Sequence, residues 1–142
     1  MLSDCEKLVN YYIRDGEPLC TGNSIYKENS TFYDDDKIIV VQKQTKTLPQ
    51  ILNDKLFDLI KIDVQGSELD IIKGGLDIIK LSKGVLMEVS LVEFNQGAPR
   101  KQEVVDFMKD IGFESVEIIA NINHPVFHTL IQEDVLFLNK NI

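Results

Sequence analysis

Several common signatures of chemistry are missing from this chain. Its eight glycines, at positions 16, 22, 66, 74, 75, 84, 97 and 112, include no Gly-x-Gly spacing, so these residues hold no glycine-rich turn of the kind that cradles a nucleotide. Neither a Gly-x-x-x-x-Gly-Lys phosphate loop nor a Gly-x-Ser-x-Gly nucleophile elbow occurs. Cysteine is scarce. Cys5 and Cys20 lack zinc-site spacing and are too few for a disulfide framework, which fits a reducing, cytoplasmic setting. Apolar runs such as Ile38 to Val41 and Gly84 to Val89 fall well short of the ~20 residues that cross a bilayer, and no signal peptide is expected before them. No membrane partner is expected. Basic residues are the minority, 15 against 23 acidic, for a net charge of -8. Such a balance repels phosphate backbones, so nucleic acid is not an expected partner either.

What the chain does have is enough apolar material for one core, 44% of 142 residues, and a clear division of pattern. It reads as one domain over 1–142, an irregular strand and loop region over 1–47 followed by an α/β core over 48–142. Leu8 to Ile13 and Lys37 to Gln42 are strand-like. Between them Asp15-Gly16, Pro18, Gly22-Asn23 and Asp34-Asp35-Asp36 predict a long irregular connection. Thr47 to Leu52 fits a short helix, with Thr47 as cap and Pro49 in the first turn. Leu56 to Val64 is almost continuously apolar and predicts a parallel interior strand covered on both faces. Ser67 and Asp70 have capping-box spacing, Leu69, Ile72, Leu76 and Ile79 follow at helical intervals, and Gly74-Gly75 should break that helix. Gly84 to Ser90 is a second buried-type strand. Gly97-Ala98-Pro99 then leads into a helix with Val104, Val105, Met108 and Ile111 on its apolar face, closed by Gly112. Ser115 to Ala120 and Asp134 to Asn139 predict an antiparallel strand pair joined through Asn123-His124-Pro125. The order strand, helix, strand, helix, strand, strand is an α/β layer pattern.

The candidate chemistry gathers where the Phe57 strand ends. Asp63 stands at the carboxyl end of that strand, where open α/β sheets bind ligands, and the chain turns at once through Gly66. A carboxylate there accepts hydrogen bonds from a ligand's hydroxyl or amine, takes part in metal binding, or caps the turn. Gln65 is a hydrogen-bonding turn residue. Glu68, in the first turn of the next helix, either joins the site or favours the helix dipole. Glu88 interrupts the apolar run Val85 to Val89, where a charge must be paired, face a cleft or sit at the sheet's wet edge. Glu93, Asn95 and Gln96 follow in a loop that can line the same cleft. His124 and His128 are spaced for one helical face, but Pro125 between them and the lack of a third ligand make them loop histidines, and no metal site is assigned.

The run from Phe57 to Gly75, with its Lys-Ile-Asp-Val-Gln-Gly-x-Glu core at Lys61 to Glu68, resembles the signature of the FkbM family of S-adenosylmethionine-dependent methyltransferases. Other pieces are similar in the same order: Gly22-Asn23-Ser24-Ile25-Tyr26, Lys46-Thr47-Leu48, Leu86-Met87-Glu88-Val89, Phe107 to Phe113, and Asp134-Val135-Leu136-Phe137. The resemblance implies a partial Rossmann-like methyltransferase fold, a mostly parallel sheet whose last two strands form an antiparallel pair. It implies methyl transfer from S-adenosylmethionine to a hydroxyl on a sugar or other small molecule, with Asp63, Glu68 and Glu88 as catalytic candidates and Asp63 and Gln65 as cofactor contacts. Such a reaction needs the acceptor oxygen aligned with the methyl donor and a base for its proton.

The missing Gly-x-Gly turn bears directly on this reading. By order of motifs, Met1 to Asp4 corresponds to a point after the family's third strand, so the chain is expected to be the C-terminal, acceptor-side portion, with the N-terminal cofactor-binding half absent. The Phe57 strand should then have a bare flank, which invites pairing with a second copy or with a separately encoded N-terminal half. Expected partners are a glycan or small-molecule acceptor and one of these chains. The alternative expectation is a non-catalytic remnant that acts as an interaction module through that edge.

Overall fold

The computed structural model describes every residue except Asp54 and Pro125. It contains two sheets. Before residue 48, β1 (Leu8–Arg14) and β2 (Ile38–Gln44) form an antiparallel ladder, in register from Leu8 opposite Gln44 to Arg14 opposite Ile38. The long connection between them is irregular apart from two single 3-10 turns, Thr31–Tyr33 and Asp35–Lys37. Helix α1 (Leu48–Leu52) follows, and the Gln50 side-chain oxygen accepts from the Thr47 amide at 2.8 Å.

The second sheet is built from β3 (Leu59–Ile62), β4 (Gly84–Ser90), β5 (Phe113–Asn123) and β6 (Leu130–Asn139) in the spatial order β3-β4-β6-β5. Between β3 and β4 lie α2 (Glu68–Lys73) and α3 (Leu76–Ile79), separated at Gly74-Gly75 as the sequence predicts. The break has a packing reason too. A Cβ at Gly74 would stand 2.1 Å from the Ser3 carbonyl oxygen, and one at Gly75 would stand 2.4 Å from a Leu48 methyl. Helix α4 (Lys101–Asp110) buries Val104 and Met108, and Gly112 follows at φ 98, a left-handed position that suits glycine. The core between sheet and helices includes Ile62, Ile72, Ile79, Val85, Met87, Met108, Phe113, Val135 and Phe137.

Two expectations need correction. The sheet is mixed rather than mostly parallel, since β3 and β4 pair in parallel while β4 with β6 and β5 with β6 are antiparallel. The reason is the final hairpin: β6 turns back and inserts between β4 and β5, so β5 shares the direction of β3 and β4 without sharing a ladder with them. The Phe57 strand is also shorter than predicted, and it lies at the sheet's edge, which overturns the interior reading of its apolar run and agrees with the bare flank expected of it. Its ladder starts where Leu59 meets Gly84, because the Asp58 carbonyl already accepts from the Lys83 and Gly84 amides, at 2.9 and 3.0 Å. Among the described residues no strand pairs with the far side of β3, and Leu56 and Leu59 are 62% and 57% exposed.

Candidate functional site

The turn after β3 is held from both sides. Gly66 has φ 91, and a Cβ on it would lie 2.8 Å from the Ala98 Cβ and 3.2 Å from those of Asn95 and Tyr26. Only glycine satisfies both the backbone and the space. The Ser24 hydroxyl donates to the Gln65 carbonyl and accepts from the Tyr26 amide at 3.1 Å. The Tyr26 hydroxyl donates to Asp70 on α2 at 2.7 Å, and burial together with that carboxylate pushes its pKa upward. Asn95 completes the clamp by donating to the Tyr26 carbonyl at 2.8 Å.

Within this frame the predicted residues fall into two groups. Asp63, Gln65 and Glu88 come together at the carboxyl end of β3 and β4. Asp63 follows Ile62, which makes the last pair of the ladder with Met87, and its carboxylate is close enough for its charge to act on Glu88. Gln65 donates its side-chain amide to Glu88 Oε1 at 3.2 Å, and Gln132 on β6 donates to the same oxygen at 2.6 Å. Glu88 is half-buried. Burial, and then the charges of Asp63 and Asp134, raise its pKa above the usual carboxylate range. Asp63 is half exposed and accepts from the Lys61 ammonium at 2.8 Å, a bond that raises the pKa of Lys61. With Gln65, Ser24 and Thr21, Asp63 lines a cavity of about 370 Å³ between the turn and the Cys20 to Ile25 loop.

Glu68 stands apart from this group. It is 8% exposed, sits beneath the turn, and accepts from the Gly66 amide at 3.3 Å. Burial raises its pKa to about 8 despite the backbone amides that favour the charged form, so it is largely protonated at neutral pH. Its bond to the Gly66 amide ties the start of α2 to the turn. Folded Glu68 therefore binds a proton that the unfolded chain releases near 4.5, and the linked stability is full below that value and falls as pH rises toward 8. Glu68→Gln should flatten that slope, by up to about 1.4 kcal/mol per pH unit. Thermal melts of both proteins across this window check it, and parallel profiles would contradict it.

Residues outside the predicted set complete the site. Gln132 was hidden in the final strand, although a glutamine followed by Glu133 and Asp134 in an otherwise apolar run is a visible anomaly. Ser24 and Tyr26 belong to the Gly22 to Tyr26 element, whose contact with Gln65 is not legible without the fold. Asn23 is fully engaged as a brace, its oxygen accepting from the Arg14 amide and the Tyr33 hydroxyl, both at 2.9 Å. His128 has φ 53 in the β5–β6 turn, and among the described residues no three His, Cys, Asp or Glu side chains are grouped to hold a metal. The prediction that Pro125 disrupts the histidine pair falls outside the described residues.

The donor set at Asp63 suits a ligand with hydroxyl or ammonium groups, because it combines a half-exposed carboxylate, an amide and small hydroxyls. It suits S-adenosylmethionine only in part: a carboxylate and an amide match the polar groups of that cofactor, while among the described residues no glycine-rich turn stands beside them. No helix among the described residues is long and apolar enough to cross a membrane. Neither the curated proteins nor the solved structures contain a match to the chain. The family model of the methyltransferase FkbM domain matches residues 2–115, which include the Gly22 to Tyr26 element, the Asp63 turn and Glu88. With most of its length matched, the chain belongs to the FkbM methyltransferase family.

Proposed function

We propose that the chain carries the acceptor-side wall of an S-adenosylmethionine-dependent O-methyltransferase site, acting on a hydroxyl of a sugar or other small molecule. The observation that carries this reading is Asp63, a carboxylate held at the end of β3 beside a cavity, next to Glu88. The cofactor, when bound, supplies the electrophilic methyl group. Asp63 accepts the acceptor's hydroxyl proton. Glu88, fixed by Gln65 and Gln132, supports it by orienting the acceptor. The reading extends to a partial Rossmann-like fold, which the shared direction of β3, β4 and β5 supports. Transfer of labelled methyl from S-adenosylmethionine to neutral sugars, assayed for this chain and for one extended upstream, tests it. Turnover should appear with the extension and be weak without it, and an extended chain that neither binds nor transfers would end the reading.

The edge of β3 supports a second reading, an interaction module for a second copy or an N-terminal half. Exposed Leu56, Phe57 and Leu59 flank a strand edge with no partner among the described residues, and such an edge templates strand addition. Light scattering should show self-association, and Leu59→Glu should shift it toward monomer. A wild-type chain that stays monomeric at high concentration would count against self-pairing.

A further inference from the structure

A second cavity of about 330 Å³ lies beyond the Asp63 corner, at the tip of the β5–β6 hairpin. Phe32, Phe94, Phe127 and His124 supply aromatic surface, and Glu28 to Thr31 supply a polar wall. The His124 amide donates to the Thr129 carbonyl at 2.7 Å and the His128 amide to the His124 carbonyl at 2.9 Å. His124 Nδ1 accepts from the Val126 and Phe127 amides, both at 3.2 Å, so the proton of the neutral ring sits on Nε2, which is left as a donor. The His124 and Phe127 rings lie 4.7 Å apart, yet Phe127 remains 73% exposed. A large apolar ring kept in water beside a polar wall is costly unless something covers it.

A chain of contacts links the walls of this cavity to the carboxylate corner. The Asn29 amide donates to the Phe94 carbonyl at 2.7 Å, and Glu28 bridges Asn95, the residue packed on Gly66. Gln132, which holds Glu88, pairs with Ile122, and His124 lies two residues further, about 7 Å along the strand. One aromatic wall and one hydrogen-bonding wall match the two-faced character of a sugar ring, whose C–H face stacks on aromatics while its hydroxyls need partners. Glu28 and the net charge of -8 disfavour anionic ligands.

We infer that the Phe32, Phe94, His124 and Phe127 cavity binds a neutral pyranose ring, the distal ring of a saccharide acceptor whose reacting hydroxyl lies at Asp63. Its role as an acceptor subsite rests on the methyl-transfer reading, whereas the binding itself does not. The test is NMR titration of the ¹⁵N-labelled chain, without S-adenosylmethionine, using lactose, cellobiose and methyl glucoside, with glucuronic acid, indole and cyclohexanol as contrasts. Neutral saccharides should shift the amides of Asn29, Thr31, Phe94 and Phe127. Phe127→Ala should weaken them about tenfold, and Phe127→Trp should restore binding. Shifts only with indole or cyclohexanol, shifts elsewhere, no saccharide response, or unchanged affinity in Phe127→Ala would each overturn the inference. Saccharide binding here combined with failed methyl transfer by the extended chain would sustain this site and remove only its acceptor role.

Discussion

Asp63→Asn should lose methyl transfer by about 10²- to 10⁴-fold, the range supplied by a positioned general base, while barely changing stability. The two effects separate because of where the residue sits. Its carboxylate is half exposed and its ion pair with Lys61 is a surface pair, worth about 0–1 kcal/mol. Asparagine keeps the size and the hydrogen-bonding oxygen but cannot take a proton. Rates measured with the chain extended upstream, beside melts of the 142-residue chain, check both halves. A variant that keeps wild-type rates would move the base elsewhere, with Glu88 next in line, and a variant that unfolds would make Asp63 a turn brace.

Gly66→Val should be the most damaging single change to the fold around the site. Valine is β-branched and ill suited to φ 91, a strain of about 1–3 kcal/mol, and its Cβ would start 2.8 Å from the Ala98 Cβ with Asn95 and Tyr26 close behind. Overpacking typically adds about 1–3 kcal/mol more. Against the roughly 5–15 kcal/mol that holds a domain together, the sum removes much of the stability. Gly97→Ala provides the control, since Gly97 has φ 73 but nothing within 4 Å of an added Cβ. It should show the backbone strain alone. Equal melting shifts for the two variants would mean that the clamp formed by Ala98, Asn95 and Tyr26 contributes little.

The lower edge of the site was legible because it is local. A buried strand, a glycine turn and a helix start announce themselves over a dozen residues, and Gly84 to Ser90 reads with the bounds it adopts. What failed depends on partners distant in sequence. The apolar run from Leu56 to Val64 looks interior, yet only Leu59–Ile62 pairs, since a ladder is no longer than its neighbour allows. Strand β5 runs to Asn123, well past the predicted Ala120, because irregularities between Ser115 and Glu117 and between Ile118 and Ala120 keep it paired with β6. Glu68 reads like Asp63 in sequence, as a carboxylate near the turn. Only burial tells them apart, by leaving one protonated beneath the turn and the other beside the cavity. Gln132 was out of reach for a related reason: its grip on Glu88 spans 44 residues and exists only once β6 lies against β4.

The most direct test of the carboxylate corner is a titration of the ¹⁵N-labelled chain with S-adenosylmethionine, followed residue by residue. A single acceptor-side wall predicts weak binding, saturating in the millimolar range, with amide shifts confined to Asp63 to Ser67 and to Thr21 to Ile25 around the cavity. Silence at those amides at the ligand's solubility limit, or a response centred elsewhere on the chain, would contradict it.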